Sequence, residues 1–349
     1  MTRTLSAVVL ATSLALVGCE KAKPPAPSTA SEYEPITIRF SAGHNYGVFA
    51  YAEKHGILER ELAKVNAKIE WVPAAGAFSA NFEAMNSGAI NTSGGAISPI
   101  IGALSHNLQF KIFAIGDPSD MRQAGIVAPK GSAIKKIEDL KGKRVAVNLA
   151  AHGDYLLLKA LANHGVPAES VERVPIQPPE AAAAFATGKI DAWSTFGVFF
   201  ATAKNNGANI LAYEADLDSD DVSVSAANVA LLEKNPAAFQ VLVRVQSELA
   251  QQAHEHPEQF TNVFTDKGPT AFAGERLDIS LAEQRSTPPQ RVPTAADKQR
   301  VANVAKIFTE NKSIDRAIPV DDIVFDIDAA AARKKTAQSA TTPIETAQR

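Results

Sequence analysis

The chain alternates short runs of β-branched and aromatic residues with longer stretches in which apolar residues recur every three or four positions. Residues 36–40 (ITIRF) and 68–73 (KIEWVP) predict strands, and residues 47–65 between them predict a helix. Further strands are predicted at FKIFAIG, GIVAPKG, RVAVNL, VERVPI and NILAYE, most of them separated by helical stretches. This rhythm is typical of right-handed βαβ units. The sequence therefore predicts an α/β fold with mainly parallel sheets flanked by helices.

The pattern changes after Asn228, where residues 229–260 and 294–312 have helical spacing. The last segment, residues 329–349, is polar and without period, so we predict that it is disordered. Hydrophobic residues make up 46% of the chain, which is enough to bury a large core. We therefore expect two domains between the N-terminal region and this tail.

Two segments 100 residues apart resemble each other. AMNSGAIN (84–91) and AFATGKID (184–191) share a small apolar start, a Ser or Thr, a Gly and an Ile at matching positions. In each, a helix is expected to end at a left-handed glycine, Gly88 or Gly188, before a strand that begins at Ile90 or Ile190. Helix, glycine and strand also follow one another in unrelated α/β proteins. The alternative is that the chain forms two similar lobes, each containing this unit.

The only cysteine, Cys19, follows a positive residue and an apolar run of signal-peptide length. LVGC resembles the lipobox of bacterial lipoproteins, which predicts a signal peptide at 1–18 and acylation of Cys19. The other interpretation is a cleaved signal peptide without lipid. Residues 19–35 are rich in Pro, Ala and Ser and predict a flexible tether. We thus expect a periplasmic protein that is lipid-anchored to a bacterial membrane.

The charge balance argues against nucleic acid as a partner. There are 35 Lys and Arg against 38 Asp and Glu, a net charge of −3, and removal of Arg3 with the signal peptide makes the chain one unit more negative. No second apolar segment approaches the length of a membrane span. We expect a monomer that contacts the membrane only through its anchor.

Loops that follow predicted strands are the expected ligand-binding positions, because open α/β sheets bind ligands beyond the carboxyl ends of their strands. Several of these loops have small residues before a predicted helix, which leaves backbone N–H groups available to an anion. None matches a nucleotide-binding P-loop. The loops are 41–47, 73–78, 92–98, 149–155 and 193–199.

Catalytic and metal-binding motifs are missing from the sequence. There is no GxSxG elbow, and the seven histidines show no HExxH or similar spacing. His44 and His152 stand out because they fall in candidate cleft loops. Asp154 caps a predicted helix, and Trp193 either packs in the core or lines a pocket. We predict no enzyme activity, no cofactor and no metal.

The segments DLKGKRVAVN, YLLLKAL and GKIDAW, with FEAMNSGAIN and NPAAFQVLVR, resemble the alkanesulfonate- and taurine-binding proteins of ABC importers. The resemblance covers roughly residues 36–323. It implies a type II periplasmic binding protein, in which two lobes close on a small solute and deliver it to a permease and its ATPase. It places lobe 1 at 36–122 plus 229–328, lobe 2 at 123–228, and the crossovers near 119–127 and 221–228.

The sequence departs from this family at ligand-facing positions. Ala150 and Ala151 replace a Gly-Ser pair, Phe196-Gly197-Val198 follow DAW where a Trp-Asp-Pro segment is common, and GGAISP occupies residues 94–99. A polar donor and an acidic group are thus replaced by small and apolar residues. These changes favour a larger or more aromatic sulfonate, a sulfate ester or another organic anion.

The expected binding site combines backbone amides, polar donors and rings. The amides belong to the loops 76–79 and 94–97, and Trp193 is expected to contact the solute, so that Trp193→Ala would weaken binding by about tenfold or more. Arg122 either pairs with the anion or forms a surface salt bridge. The predicted ligand-binding residues are His44, Asn45, Tyr46, Gly76, Ala77, Phe78, Ser79, Gly94, Gly95, Ala96, Arg122, His152, Gly153, Asp154, Trp193, Ser194 and Phe196.

Two other functions remain open at this point. An exported enzyme on the same scaffold would need an acid/base pair in the cleft, for which His152 and Asp154 are the candidates. A lipid-anchored sensor subunit would differ from a transport subunit only in its partner.

Overall fold

The computed structural model describes residues 33–42, 44–73, 81–106, 109–118 and 122–341, which lie in one compact unit. The strands are β1 Ile36–Ala42, β2 Ala67–Pro73, β3 Thr92–Ala96, β4 Phe110–Gly116, β5 Ala124–Ala128, β6 Arg144–Val147, β7 Glu172–Pro175, β8 Ala192–Phe196, β9 Asn209–Tyr213, β10 Ser223–Asn228 and β11 Gln290–Arg291. The helices are α1 Val48–Lys54, α2 Ile57–Ala63, α3 Phe82–Asn86, α4 Ile97–Leu104, α5 His152–Asn163, α6 Pro178–Ala186, α7 Gly197–Asn205, α8 Val229–Lys234, α9 Pro236–Glu255, α10 Glu275–Arg285, α11 Ala295–Glu310, α12 Val320–Ile323 and α13 Ile327–Thr341.

The first sheet has the strand order β11-β4-β10-β3-β1-β2. β1 is parallel to β2 and β3, with Phe40 opposite Trp71, whereas β10 is antiparallel to β3 and β4. The second sheet has the order β7-β6-β8-β5-β9, in which β6 is parallel to its neighbours and β5 is antiparallel to both of its own. The α/β class is confirmed, and both sheets are mixed: four of the six strands in the first sheet and four of the five in the second run in the same direction.

The chain crosses between the sheets twice, once between β4 and β5 and once between β9 and β10, where the crossing is residues 214–222. We call the first sheet and its flanking helices lobe 1, and the second sheet and its helices lobe 2. The predicted end of lobe 2 at residue 228 is wrong, because β10 lies inside the first sheet with Ala226 opposite Ser93. The buried pattern of β10 suits the interior of either sheet, so local periodicity could not assign it.

In both copies of the repeated unit the helix, α3 or α6, is followed by a left-handed glycine, as the sequence predicts. Gly88 has φ 73° and Gly188 has φ 70°, which is the left-handed conformation that glycine adopts without steric cost. The strands that follow, β3 and β8, begin two residues later than Ile90 and Ile190. Each lobe therefore contains one copy of the unit.

Two other expectations about helices change. The helix predicted over residues 47–65 is divided into α1 and α2 at Gly56, which has φ 59°. The predicted disorder of the tail is wrong as far as residue 341, because α13 occupies this stretch and packs on α9, with Ala330 and Ala331 buried. Alanine-rich sequence has high helix propensity even where its polar pattern shows no period.

The two lobes are in direct contact through their helices. α5 of lobe 2 packs against α4 and α11 of lobe 1, and the rings of Tyr155 and Phe308 are 6.5 Å apart in this shared core. Arg173 of lobe 2 donates to Ser313 of lobe 1 over 2.7 Å. Within the described residues, no helix is both long enough and apolar enough to cross a bilayer.

The lobes approach each other closely at Gly102. A Cβ atom on this residue of α4 would lie 2.1 Å from the carbonyl oxygen of Ala150, in the loop before α5. We expect Gly102→Ala to destabilise the protein by about 1–3 kcal/mol, because backbone must move to relieve the overlap. Denaturant unfolding measures this change.

The matched control for that variant is Gly94→Ala, where the added Cβ would be in ordinary contact at 3.6 Å. We expect its stability to stay within about 0.5 kcal/mol of wild type. A Gly102→Ala protein as stable as the control would contradict this account of the interlobe contact.

Candidate functional site

A cavity of about 460 Å³, cavity 1, lies on lobe 1 beside the carboxyl ends of β1 and β2. Its wall is completed by the start of α1 and by α10 with the loop that follows. The lining residues are Phe40, Ser41, His44, Tyr46, Gly47, Val48, Phe49, Ala50, Glu53, Trp71, Ser93, Gly94, Ser223, Gln246, Glu283, Gln284, Thr287, Pro288 and Gln290. This is the sheet edge at which the sequence analysis placed the ligand.

A second cavity of about 480 Å³, cavity 2, adjoins cavity 1 and contains residues of both lobes. Ser223, Glu283, Thr287 and Pro288 line both spaces, so the two form one cleft. Phe196 and Gly197 line cavity 2 from lobe 2, and Pro288 and Arg300 line it from lobe 1. A solute in this cleft would therefore touch residues from both lobes.

The wall of cavity 1 is largely aromatic. The rings of Phe40 and Phe49 are 4.4 Å apart, and the ring of Trp71 meets Phe40 edge-on at 5.8 Å. Tyr46 lies at the rim against Phe272, with ring centroids 5.5 Å apart. Such surfaces pack against apolar or aromatic parts of a ligand.

Several polar atoms in this wall have no hydrogen-bond partner within the part of the chain that the structure describes. They are the hydroxyls of Ser41 and Ser223 and the side-chain oxygen Oε1 of Gln284. Ser41 is 7% exposed and Gln284 is 3% exposed. Buried polar groups are normally paired, so unpaired ones around a cavity indicate hydrogen bonds available to a ligand.

The ionisable residues of cavity 1 are mainly acidic. Burial raises the pKa of Glu283, and burial together with the neighbouring Glu59 carboxylate raises the pKa of Glu53. Burial lowers the pKa of His44, which keeps this ring neutral at neutral pH. Among the described lining residues there is no lysine or arginine to balance the two carboxylates.

His152 lies at the start of α5 between two carboxylates from the second crossing. Its Nδ1 is 2.7 Å from Asp221 and its Nε2 is 3.2 Å from Glu214. Burial lowers the pKa of His152, but the two carboxylates outweigh burial and raise this pKa well above the usual value. The imidazolium donates from both nitrogens and links lobe 2 to the crossing.

Asp221 also binds the start of α4 in lobe 1. Its carboxylate accepts from the backbone N–H of Ser98 over 2.7 Å and from the Ser98 hydroxyl, and the N–H of Ile97 donates to Val222. Gly95 and Ala96 pair with β10 in the first sheet. The expectation that amides of residues 94–97 hold an anion is therefore wrong at Ile97, because the second crossing already occupies that N–H.

Some predicted residues reach the cleft and others do not. His44, Tyr46 and Gly94 line cavity 1, and Phe196 lines cavity 2 with its ring 5.0 Å from that of His152. Asn45 does not offer a donor to the cleft, because its amide group makes hydrogen bonds to Asn262, Phe264 and Thr265. Gly76, Ala77, Phe78, Ser79 and Cys19 lie outside the described residues.

The prediction that Trp193 lines the cleft is wrong. Its side chain is buried with Phe185 and Phe199, whose rings are 5.8 and 5.9 Å away, and it borders neither cavity. Ser194 is buried in the same strand. Arg122 forms a bidentate pair with Asp216 at 2.7 and 2.8 Å, which is the surface salt bridge that the sequence left open.

The candidate acid/base pair of His152 and Asp154 is also wrong. Asp154 is fully buried and pairs with Arg173 at 2.9 Å, and it also accepts from the N–H of Ala150 in the loop before α5. Gly153 beside it is required by packing, since a Cβ there would lie 2.6 Å from the carbonyl of Ser194. Throughout the described ranges, no group of three or more His, Cys, Asp or Glu is arranged to hold a metal ion.

The most informative cleft residues were missed by the sequence analysis. Glu53 lies on α1, Glu283 and Gln284 lie on α10, and Ser223 is the first residue of β10. None of them belongs to a loop that the sequence marks as a ligand site. Helical polar residues of this kind are indistinguishable from surface positions in the sequence. They become part of a cavity only because α1, α10 and the start of β10 come together beside the carboxyl ends of β1 and β2.

Comparison with known proteins gives consistent results. Residues 86–260 match the family model described as NMT1/THI5 like. A putative aliphatic sulfonates-binding protein of Escherichia coli K12 is 28% identical over 224 residues, which cover 63% of this chain and 68% of the relative.

Solved structures share the fold. The alkanesulfonate-binding protein SsuA of Xanthomonas axonopodis pv. citri, bound to MOPS, matches 84% of this chain and 99% of its own with a TM-score of 0.71 and 21% identity. The desulfurization enzyme DSZB matches 85% of this chain and 99% of its own with a TM-score of 0.54 and 15% identity. The same architecture thus occurs in binding proteins and in an enzyme.

Proposed function

This chain belongs to the NMT1/THI5-like family, and from that premise we propose that it is the solute-binding subunit of an ABC importer for a small organic sulfonate or sulfate ester. The observation that carries the proposal is the cleft formed by cavities 1 and 2, which is lined from both lobes. Its two parts, about 460 and 480 Å³, each have the size of a small-molecule site. The relative of E. coli K12 is named for aliphatic sulfonates, which supports the substrate class.

Capture by closure is the proposed mechanism. A solute that touches Phe196 of lobe 2 and Trp71 of lobe 1 would bind better when the lobes approach each other, and this difference in affinity drives closure. The aromatic wall would hold the organic part. The predicted donors of the loop 76–79 stay a proposal for the anionic end, together with His44.

The closed form would dock on a permease that is driven by a cytoplasmic ATPase. Export to the periplasm and an anchor at acylated Cys19 are part of the same proposal, and they follow from the N-terminal sequence. Mass spectrometry of the protein isolated from bacterial membranes tests the anchor, since acylation adds the mass of its fatty chains to a fragment that begins at Cys19.

The alternative is an exported enzyme, since a desulfurization enzyme has the same architecture. The described cleft residues argue for binding without reaction. His152 is held protonated by two carboxylates, and the hydroxyls of Ser41 and Ser223 make no hydrogen bond to a described histidine that would activate them. A sensor subunit with a different membrane partner would bind the same solute.

We expect purified protein to show saturable one-to-one binding of at least one sulfonate or sulfate ester in calorimetry. At a ligand concentration of 100 times the Kd, binding should stabilise the fold by about 2.7 kcal/mol and raise the melting temperature. The screen includes nitrate and carboxylates as competing anions. Chromatography should recover the ligand intact. Consumption of the ligand would support the enzyme, and failure of every organic sulfonate and sulfate ester to bind would refute the proposal.

A further inference from the structure

Among the described residues, Glu283 is the one acidic residue that lines both parts of the cleft. It lies on α10 and is half-buried, and within the described chain its carboxylate forms no ion pair and no hydrogen bond. Ser223 also lines both cavities, and its buried hydroxyl is unpaired among the described residues. The junction of the two cavities therefore has an acid and a hydroxyl that are both available to a solute.

The other carboxylates of cavity 2 are already compensated or open to water. Asp117 pairs with Arg291 at 2.8 Å, and two further carboxylates pair with His152. Asp218 is exposed, so water stabilises its charge. The titratable and charged groups that line the cleft together with Glu283 are His44, Tyr46 and Glu53 in cavity 1 and Asp117, Glu214, Asp218, Asp221 and Arg300 in cavity 2.

The elements packed against α10 do not supply a counter-charge for Glu283. These elements are α7, α9 and the short helical turn Pro257–Phe260. Glu283 is the one charged residue of α10 and of these three elements that is not exposed. Burial raises the pKa of Glu283, and no neighbouring charge offsets this effect. The exposed charged residues include Lys204 of α7, His254 of α9, Glu258 of the turn and Arg276 of α10.

A solute anion in this cleft meets mainly negative charge. Cavity 1 has no described lysine or arginine in its wall, its His44 is kept neutral by burial, and the segment 74–80 that follows β2 contains neither residue type. In the described wall of cavity 2 the one arginine, Arg300, lies 3.6 Å from the carboxylate of Asp220. An anion repels an ionised Glu283, whereas a neutral carboxylic acid donates a hydrogen bond to it.

We propose that Glu283 binds the anionic group of the solute as a neutral acid, so that capture of each solute molecule is coupled to uptake of a proton. This inference rests on the proposed function, which supplies the anion. A sulfonate stays ionised in neutral and mildly acidic solution, so the proton passes from the buffer to the Glu283 carboxylate. The acid O–H then donates to a sulfonate oxygen, and the hydroxyl of Ser223 supplies a second donor.

Affinity for a sulfonate is therefore expected to fall as the pH rises. Burial already holds the pKa of Glu283 above the ordinary value, and a bound anion raises it further. Below the pKa of the free protein, Glu283 is already protonated and the affinity does not change with pH. Between the pKa of the free form and that of the bound form, the affinity falls by up to about tenfold per pH unit, because binding requires a proton.

Titration calorimetry with butanesulfonate and benzenesulfonate measures this proton, because neither solute has a group that titrates near neutral pH. The heat of binding is compared in phosphate, bis-tris and imidazole, which differ in the heat that accompanies loss of a proton. The dependence of the binding heat on that buffer heat gives the number of protons taken up. Between about pH 5 and 8 we expect a maximum of about 0.5–1 proton per solute molecule.

Glu283→Gln provides the sharpest variant, because the amide resembles the neutral acid and cannot ionise. It should bind without proton uptake, with an affinity that is constant with pH and, at about pH 8, about threefold or more tighter than that of wild type. A gain in affinity cannot arise from a damaged fold. The matched control is Glu275→Gln, an exposed glutamate on the same helix, which should keep the wild-type pH profile.

The outcomes separate this inference from the proposed function. Sulfonate binding by wild type with no proton uptake would refute the role of Glu283 and leave the binding function standing. Uptake that persists in Glu283→Gln would also refute it, and loss of uptake in His44→Gln or Glu53→Gln would then identify the true acceptor. If folded protein binds neither butanesulfonate nor benzenesulfonate, the inference is overturned, and the wider screen of sulfonates and sulfate esters decides the proposed function.

Discussion

Replacement of Trp193 by alanine is expected to destabilise the protein by about 3–5 kcal/mol while leaving solute affinity within about threefold of wild type. The indole is 3% exposed and packs between Phe185 and Phe199 inside lobe 2. Removing it leaves a void among these rings, and close-packed neighbours fill such a void only in part. Because the indole borders neither cavity, the folded variant keeps its binding surface.

The two tryptophans make this experiment internally controlled. The chain contains only Trp71 and Trp193, and Trp71 lines cavity 1. In Trp193→Ala, Trp71 is the sole indole, so its fluorescence reports solute binding while denaturant unfolding reports stability. Trp71→Ala should show the reverse, with weaker binding and a smaller loss of stability. If folded Trp193→Ala lost tenfold or more in solute affinity, Trp193 would be a ligand-binding residue and this prediction would be wrong.

Replacement of Asp221 by alanine is the second large expected effect, with a loss of about 3–5 kcal/mol in the free energy of unfolding. The Asp221 carboxylate is buried, accepts from Ser98 at the start of α4, and lies 2.7 Å from Nδ1 of His152. Its removal leaves a buried imidazolium with one carboxylate fewer and uncaps α4. Asp221 lies in the second crossing and binds Ser98 of lobe 1 and His152 of lobe 2, so its removal weakens the contact between the lobes.

The control for Asp221 lies in the same crossing. Asp218 has φ 52°, a conformation that asparagine tolerates, and Asp218→Asn should unfold within about 0.5 kcal/mol of wild type. In the double variant with His152→Ala, the loss in free energy of unfolding should be smaller than the sum of the two single-variant losses, because both substitutions remove the same ion pair. Additive losses would show that the pair contributes nothing.

The pH dependence gives a further measure of this cluster. Because the folded-state pKa of His152 is raised above the unfolded value of about 6.5, its stabilisation is complete below pH 6.5 and is lost as pH rises through the folded-state pKa. Burial opposes ionisation of Glu214, but His152 lowers the pKa of Glu214 overall. The stabilisation that ionised Glu214 contributes is therefore lost as the pH falls through this lowered folded-state pKa. Wild-type stability should therefore decline on the alkaline side, and His152→Ala should lack this decline.

The sequence by itself determined the features that depend on neighbouring residues. The alternation of strands and helices predicted the α/β class, and the two echoing segments predicted left-handed glycines at Gly88 and Gly188, which the structure contains. The family resemblance, carried by local segments such as DLKGKRVAVN, is confirmed by the family match. These properties are local because backbone conformation and hydrophobic period are set within a few residues.

Only the tertiary structure decided which distant groups meet. Asp221 reaches both Ser98 and His152, residues far from it in the chain, and β10 joins lobe 1 although the chain has just left lobe 2. Glu283 lines the cleft because α10 packs on α9 next to cavity 1, and Trp193 is buried in the core of lobe 2. Periodicity shows that a side chain is buried or exposed along one element, but the partner it meets is set by the packing of elements that the sequence keeps far apart.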